Sequence, residues 1–197
     1  MKHIRFHSIY KLLGHGTMVV LAVALAGCGR QSKPKTAQQV FTPDVVIKTT
    51  PVKDQGRSSL CWMYGMLATI ESERPMRGDS VNLSPEYVFR KMLVLQGTRD
   101  FFARGTRAIS LRGMAPMLIH YLDDTGAIPY DSYFNPDRKI NYPVLVNKVQ
   151  KLAESSSQLT SFTTRLNDLL DREIGPLPGV VAMGGMEYTP REFAHSV

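Results

Sequence analysis

The spacing of apolar positions divides the chain into a small set of elements. Met18 to Ala26 (MVVLAVALA) is one unbroken apolar run. It is too short for a membrane-crossing helix, which needs roughly 20 residues. Residues 29–43 are polar with two prolines and predict a tether. Asp44 to Thr49 (DVVIKT) is β-branched and predicts a short strand. Residues 50–60, with Pro51, Gly56 and two serines, predict a loop. Cys61 to Glu73 predicts a helix, with Trp62, Met66, Thr69 and Ile70 spaced to face a core. Pro75 and Gly78 stop it.

Farther along, Ser84-Pro85-Glu86 predicts a helix start, Ser84 as N-cap and Pro85 in the first turn. Tyr87, Phe89, Met92 and Leu93 carry that helix to about Leu95. Residues 96–113, rich in Gly and Arg, predict irregular chain. Met114 to Asp123 returns to helical spacing, and Gly126 and Pro129 end it. Residues 130–143 predict a loop. Val144 to Ile174 predicts one broken helix or two, closed by Gly175 and Pro176. Gly179 to Met183 predicts a strand. Thr189-Pro190-Arg191-Glu192 is a compact helix-start box. The fold class expected is α+β, mostly helical.

The apolar run near the N-terminus gains meaning from its flanks. Lys2, Arg5 and Lys11 precede it, with no acid, and Leu25-Ala26-Gly27-Cys28 closes it. A basic start, a short apolar core and small residues before a cut describe a secretory signal. An uncleaved anchor or an ordinary secreted protein would share the first two features. Leu-Ala-Gly-Cys resembles a bacterial lipobox. That resemblance implies acylation of Cys28 and attachment to a membrane of the cell envelope. The expected organisation is a signal peptide over 1–27, a tether over 28–43 and a domain over 44–197.

The whole chain has a formal net charge of +7 from 24 Lys+Arg and 17 Asp+Glu. Removing residues 1–27 takes away three bases and no acid, leaving +4. A charge of that size spread along the chain does not argue for nucleic acid, and no nucleic-acid motif is present. It also leaves His120 and His195 as the only histidines, and Cys61 as the only thiol beside the one committed to lipid. Two cysteines exclude a disulfide framework. Asp123-Asp124 and Asp168 with Asp171 lack metal-ligand spacing, so no metal or cofactor is expected. The arginines at 99, 104, 107 and 112 read as a solvated loop.

The chemistry concentrates in Pro51-Val52-Lys53-Asp54-Gln55-Gly56-Arg57-Ser58-Ser59-Leu60-Cys61-Trp62. A cysteine at a helix start sits among unpaired N–H groups and a partial positive charge, which favour thiolate. Its own N–H can face an oxyanion. The Gln55 carboxamide, six residues earlier, can supply a second donor.

This segment resembles the nucleophile region of papain-like cysteine peptidases, where Gln-Gly, four residues and Cys-Trp follow one another. Leu83-Ser84-Pro85-Glu86 and the block at 105–129, ending Thr125-Gly126-Ala127-Ile128-Pro129, extend the similarity. The insertion at 144–174 and Thr189-Pro190-x-x-Phe193 resemble the bleomycin hydrolase and aminopeptidase C branch. The resemblance implies a papain-like fold, a thiolate acyl-enzyme with Cys61 as nucleophile and Gln55 at the oxyanion hole, and a peptide substrate. Ser59 departs from the family, which has Gly there.

The family also needs a histidine base, ≈130–150 residues downstream. His195 lies 134 residues after Cys61. It is the candidate by distance, but Thr189-Pro190 starts a helix there where the family has a strand. His120 sits in an apolar helical run and reads as a helix-face residue. The expectation is therefore the N-terminal, mostly helical half of a peptidase, with the β-rich half, the catalytic His and the Asn absent. The alternative is a non-catalytic envelope lipoprotein that uses the fold as a binding module.

Overall fold

The computed structural model describes residues 43–76 and 80–196. The signal, Cys28 and nearly all of the tether lie outside the described residues. The chain beyond Asp44 forms one compact unit. It is mixed α and β, and mostly helical.

Among the described residues, six helices and one hairpin follow in order: α1 (Cys61–Met76), α2 (Pro85–Phe102), α3 (Ala115–Thr125), α4 (Tyr142–Ser155), α5 (Leu159–Glu173), β1 (Val181–Met183), β2 (Met186–Tyr188) and α6 (Pro190–Ser196). A 3₁₀ turn covers Tyr130–Ser132. The two strands pair antiparallel, Val181 opposite Tyr188 and Met183 opposite Met186. Gly184 and Gly185 both have positive φ, the backbone a two-residue hairpin turn needs.

Local chemistry explains where the helices begin. Ser84 Oγ accepts from the Tyr87 N–H at 3.2 Å, satisfying one orphan donor of α2, and Pro85 sits in the first turn. At α6, Thr189 Oγ1 accepts from the Glu192 N–H at 3.3 Å, while the Glu192 carboxylate accepts from the Thr189 N–H at 2.8 Å. That reciprocal pair is a capping box, and it holds the Glu192 carboxyl below the usual range.

Two expectations from the sequence are corrected. Residues 44–49 are not a strand. Val45, Val46 and Ile47 are exposed, and no strand lies beside them among the described residues. A β-branched run becomes a strand only where a partner supplies its hydrogen bonds. The second concerns α2, which runs on to Phe102 rather than stopping near Leu95. Gly97 lies inside it because a Cβ there would come within 2.9 Å of Val149 Cγ1. The residue that looks like a breaker lets α2 pack closely on α4 and α5.

α2 is the central element. Tyr87, Val88, Phe89, Met92 and Leu93 are all nearly inaccessible to solvent. α3 packs on it through the Tyr87 hydroxyl, which donates to the Thr125 carbonyl at 2.6 Å. Burial pushes that hydroxyl up to about 12. α4 and α5 also pack on α2, meeting it at Gly97 and at the Phe89–Tyr142 ring pair. α1 packs against α2 and α3. Its buried positions are Met63, Leu67 and Glu71, continuing from Leu60 just before it, with Trp62, Met66 and Ile70 half-buried and Thr69 exposed. The core stripe of α1 is thus rotated from the one its apolar spacing predicts.

Candidate active site

Cys61 is the first residue of α1, and its thiol is exposed. The Leu60 carbonyl accepts from the N–H groups of Met63 (2.9 Å) and Tyr64 (3.1 Å). The N–H groups of the first two helical positions have no intrahelical partner in any α-helix. Here those positions are Cys61 and Trp62. No acid occupies the first turn to neutralise the positive helix end. The thiol therefore stands at the N-terminal end of α1.

The preceding loop is fixed by its own side chains. Asp54 Oδ1 accepts from the Gly56 N–H at 2.7 Å. The Ser58 hydroxyl donates to the Gln55 carbonyl at 2.7 Å, and Gln55 Nε2 donates to the Ser58 carbonyl at 3.3 Å. Gly56 has φ +59°, a left-handed conformation that suits glycine. The Gln55 amide thus has a weak local partner, one that a stronger acceptor can replace.

Glu71 anchors this loop from below, and sequence reasoning missed it. Its carboxylate is buried and accepts from Lys53 Nζ, from Thr50 Oγ1 and from the Leu83 N–H at 2.7 Å. One acid thereby ties residues 50–53, α1 and the entry to α2 together. A signal existed, because Leu60, Met63, Leu67 and Glu71 recur at helical spacing.

Trp62 is a packing residue with one polar contact. Its Nε1–H donates to the Leu111 carbonyl at 2.8 Å, and a Cβ on Gly113 would lie 2.5 Å from the indole. The 110–113 segment therefore lies against the indole that follows the nucleophile. It is held from the other side by Gln96. That side chain accepts from the Ser110 N–H at 2.7 Å and donates to the Ser110 carbonyl at 3.0 Å.

Beyond Tyr64, one turn after Cys61, lies a group of buried hydroxyls. Tyr64 and Tyr142 hydroxyls are 3.2 Å apart, and burial raises both above the ordinary tyrosine value. Glu86 interacts electrostatically with both, and burial raises its carboxyl above the usual range. Its Oε2 is buried without a hydrogen-bond partner. The folded protein therefore favours the neutral acid. Its stability contribution is best below the unfolded-chain pKa of about 4.3. It worsens as pH climbs through that value to the raised folded value. Glu86→Gln should raise the melting temperature at about pH 7 and leave it unchanged at about pH 3.5. An equal gain at both pH values would refute the cause.

The two histidines stand apart from the thiol. His195 is exposed in the last turn of α6, and no hydrogen bond or ion pair connects it to Cys61 or Gln55. His120 is exposed on α3, where its Nε2 lies 3.2 Å from Asp124 Oδ2, one turn on. Among the described residues, the structure brings together the thiol, the helix N-terminus and the Gln55 loop. It places no imidazole in contact with them. Nor do any three metal-ligating side chains converge among those residues.

No family model matches the chain. No curated protein matches it either.

Proposed function

We propose that the chain is a lipid-anchored cysteine peptidase of papain-like type, acting on peptides at the bacterial cell envelope. The observation that supports this most is the exposed Cys61 thiol at the first position of α1, behind a loop that carries Gln55. In this reading the Cys61 Sγ attacks the peptide carbonyl carbon. The carbonyl oxygen takes the negative charge and is met by the Cys61 N–H and the Gln55 amide. The C–N bond then breaks, the amine leaves with a proton, and water hydrolyses the thioester. The leaving amine needs a proton donor, and neither His120 nor His195 contacts the thiol.

That last point favours a second reading, a non-catalytic envelope lipoprotein in which the same fold binds peptides. A thiol-directed alkylating probe separates the two in its first arm. The expected result is that Cys61 reacts faster than free cysteine near neutral pH, and that Cys61→Ala removes the labelling. A rate no faster than free cysteine would defeat the nucleophile reading. The second arm is peptide turnover, with Cys61→Ala as the blank. The expectation is little or no turnover, because neither described histidine contacts the thiol. Turnover that survives Cys61→Ala would overturn the assignment of the nucleophile.

A further inference from the structure

α4 and α5 run side by side, and a shallow groove of about 460 Å³ lies between them. Each helix contributes residues at i, i+3, i+4 and i+7, the positions that share one face. From α4 come Lys148, Lys151 and Leu152; from α5 come Arg165, Leu169 and Arg172. The leucines form an apolar floor and the four cations line it. Lys148 Nζ is paired with Glu173 Oε1 at 2.5 Å. Among the described residues, Lys151, Arg165 and Arg172 have no ion pair, and Asp168 is the one acid in the lining. The cations extend along about 10 Å of helix. Val144, exposed near the start of α4, stands one turn before Lys148 on the same helix face.

We propose that this α4–α5 face docks on a bilayer surface containing anionic phospholipid. Cations beside an exposed apolar side chain on a helical surface describe an interfacial binder. The groove is open along its length, so it suits a plane of headgroups better than an enclosed small ligand. The proposal rests on the reading of Cys28 as the lipid anchor. Each free cation near an anionic surface is worth roughly 5-fold in affinity, or about 100-fold for the three. For a free protein that gives only weak binding, measurable at high lipid concentration. It is enough to orient a chain already tethered at Cys28. Because α4 and α5 cover one part of α2 while α1 rests on α2 and α3, Cys61 does not line the docked face.

The test uses the full chain with Cys28→Ser, sedimented with phosphatidylcholine vesicles and with vesicles containing phosphatidylglycerol. The expected result is a salt-sensitive excess of binding to the second. It should fall about 100-fold in a Lys151→Ala, Arg165→Ala, Arg172→Ala variant and further in the corresponding triple Glu variant. The milder Ala replacements and an unchanged Cys61 alkylation rate guard against misfolding. Phosphatidylglycerol binding that survives the charge reversal would overturn the proposal. So would groove-dependent binding of inorganic phosphate without any preference for anionic vesicles. The anchor reading is tested apart, by the mass of the mature protein expressed with its signal. An unacylated Cys28 with the vesicle result intact would defeat the anchor and leave the docking face standing.

Discussion

Glu71→Ala should destabilise the protein by about 3–5 kcal/mol, the usual cost of removing one partner of a buried ion pair. Glu71 is almost fully buried and receives Lys53, Thr50 and the Leu83 N–H. Its removal strands an ammonium, a hydroxyl and a backbone donor together. In a domain of this size the melting temperature should fall by roughly 10 °C. Glu71→Gln keeps an acceptor for Leu83 but loses the charge for Lys53, and should cost about half as much. The consequence should reach the thiol, because Lys53 stands two residues before Gln55. In Glu71→Gln, alkylation of Cys61 should lose part of any advantage over free cysteine. Thermal melts and alkylation rates check both halves. A loss under 1 kcal/mol in Glu71→Ala would mean that the carboxylate does not hold the loop.

Asp171→Ala should cost about 3 kcal/mol although Asp171 is close to half exposed. Its Oδ1 lies 2.7 Å from Arg90 Nη1, and Arg90 is one of the largest fully enclosed side chains. Arg90 also meets the Tyr133 hydroxyl at 3.2 Å and donates to the Gly175 carbonyl. Removing the aspartate leaves a guanidinium in the core without a counter-ion. Arg90→Met removes the charge and most of the need for Asp171, and fills similar volume. It should cost only about 1 kcal/mol, because Tyr133 still donates to Gly175. The order is the point to measure by urea unfolding: the surface residue should matter more than the buried one. Equal losses, or a larger loss in Arg90→Met, would refute it.

What could be read from the sequence was local. Ser84-Pro85 and Thr189-Pro190-x-Glu192 carry their caps within four residues, and both helices begin there. The stretch 144–174 resolved into two helices, and Gly175 follows the second with a positive φ. Cys61 stands at the helix start its sequence predicts. What could not be read depended on partners far along the chain. Arg90 looks like an ordinary solvated helix charge until Asp171 and Gly175 are brought to it, and the place of Glu71 on the buried stripe names no partner until Lys53 and Leu83 are brought to it. Asp44–Thr49 has strand composition, yet composition supplies no neighbouring edge. The distance from Cys61 to His195 along the chain carried no information about space, and α6 holds His195 without contact to the thiol.

The segment beside Trp62 has a thermodynamic consequence. Between α2 and α3 the chain is held at Asp100, which accepts from the Arg107 N–H at 2.9 Å, at Ser110 by Gln96, and at Leu111 by the indole. A loop held at three points has already surrendered its conformational entropy during folding. A ligand lying against it would not be charged for that ordering again. Its affinity would then be decided by contacts and desolvation, with the segment against the Trp62 indole ready-made rather than induced.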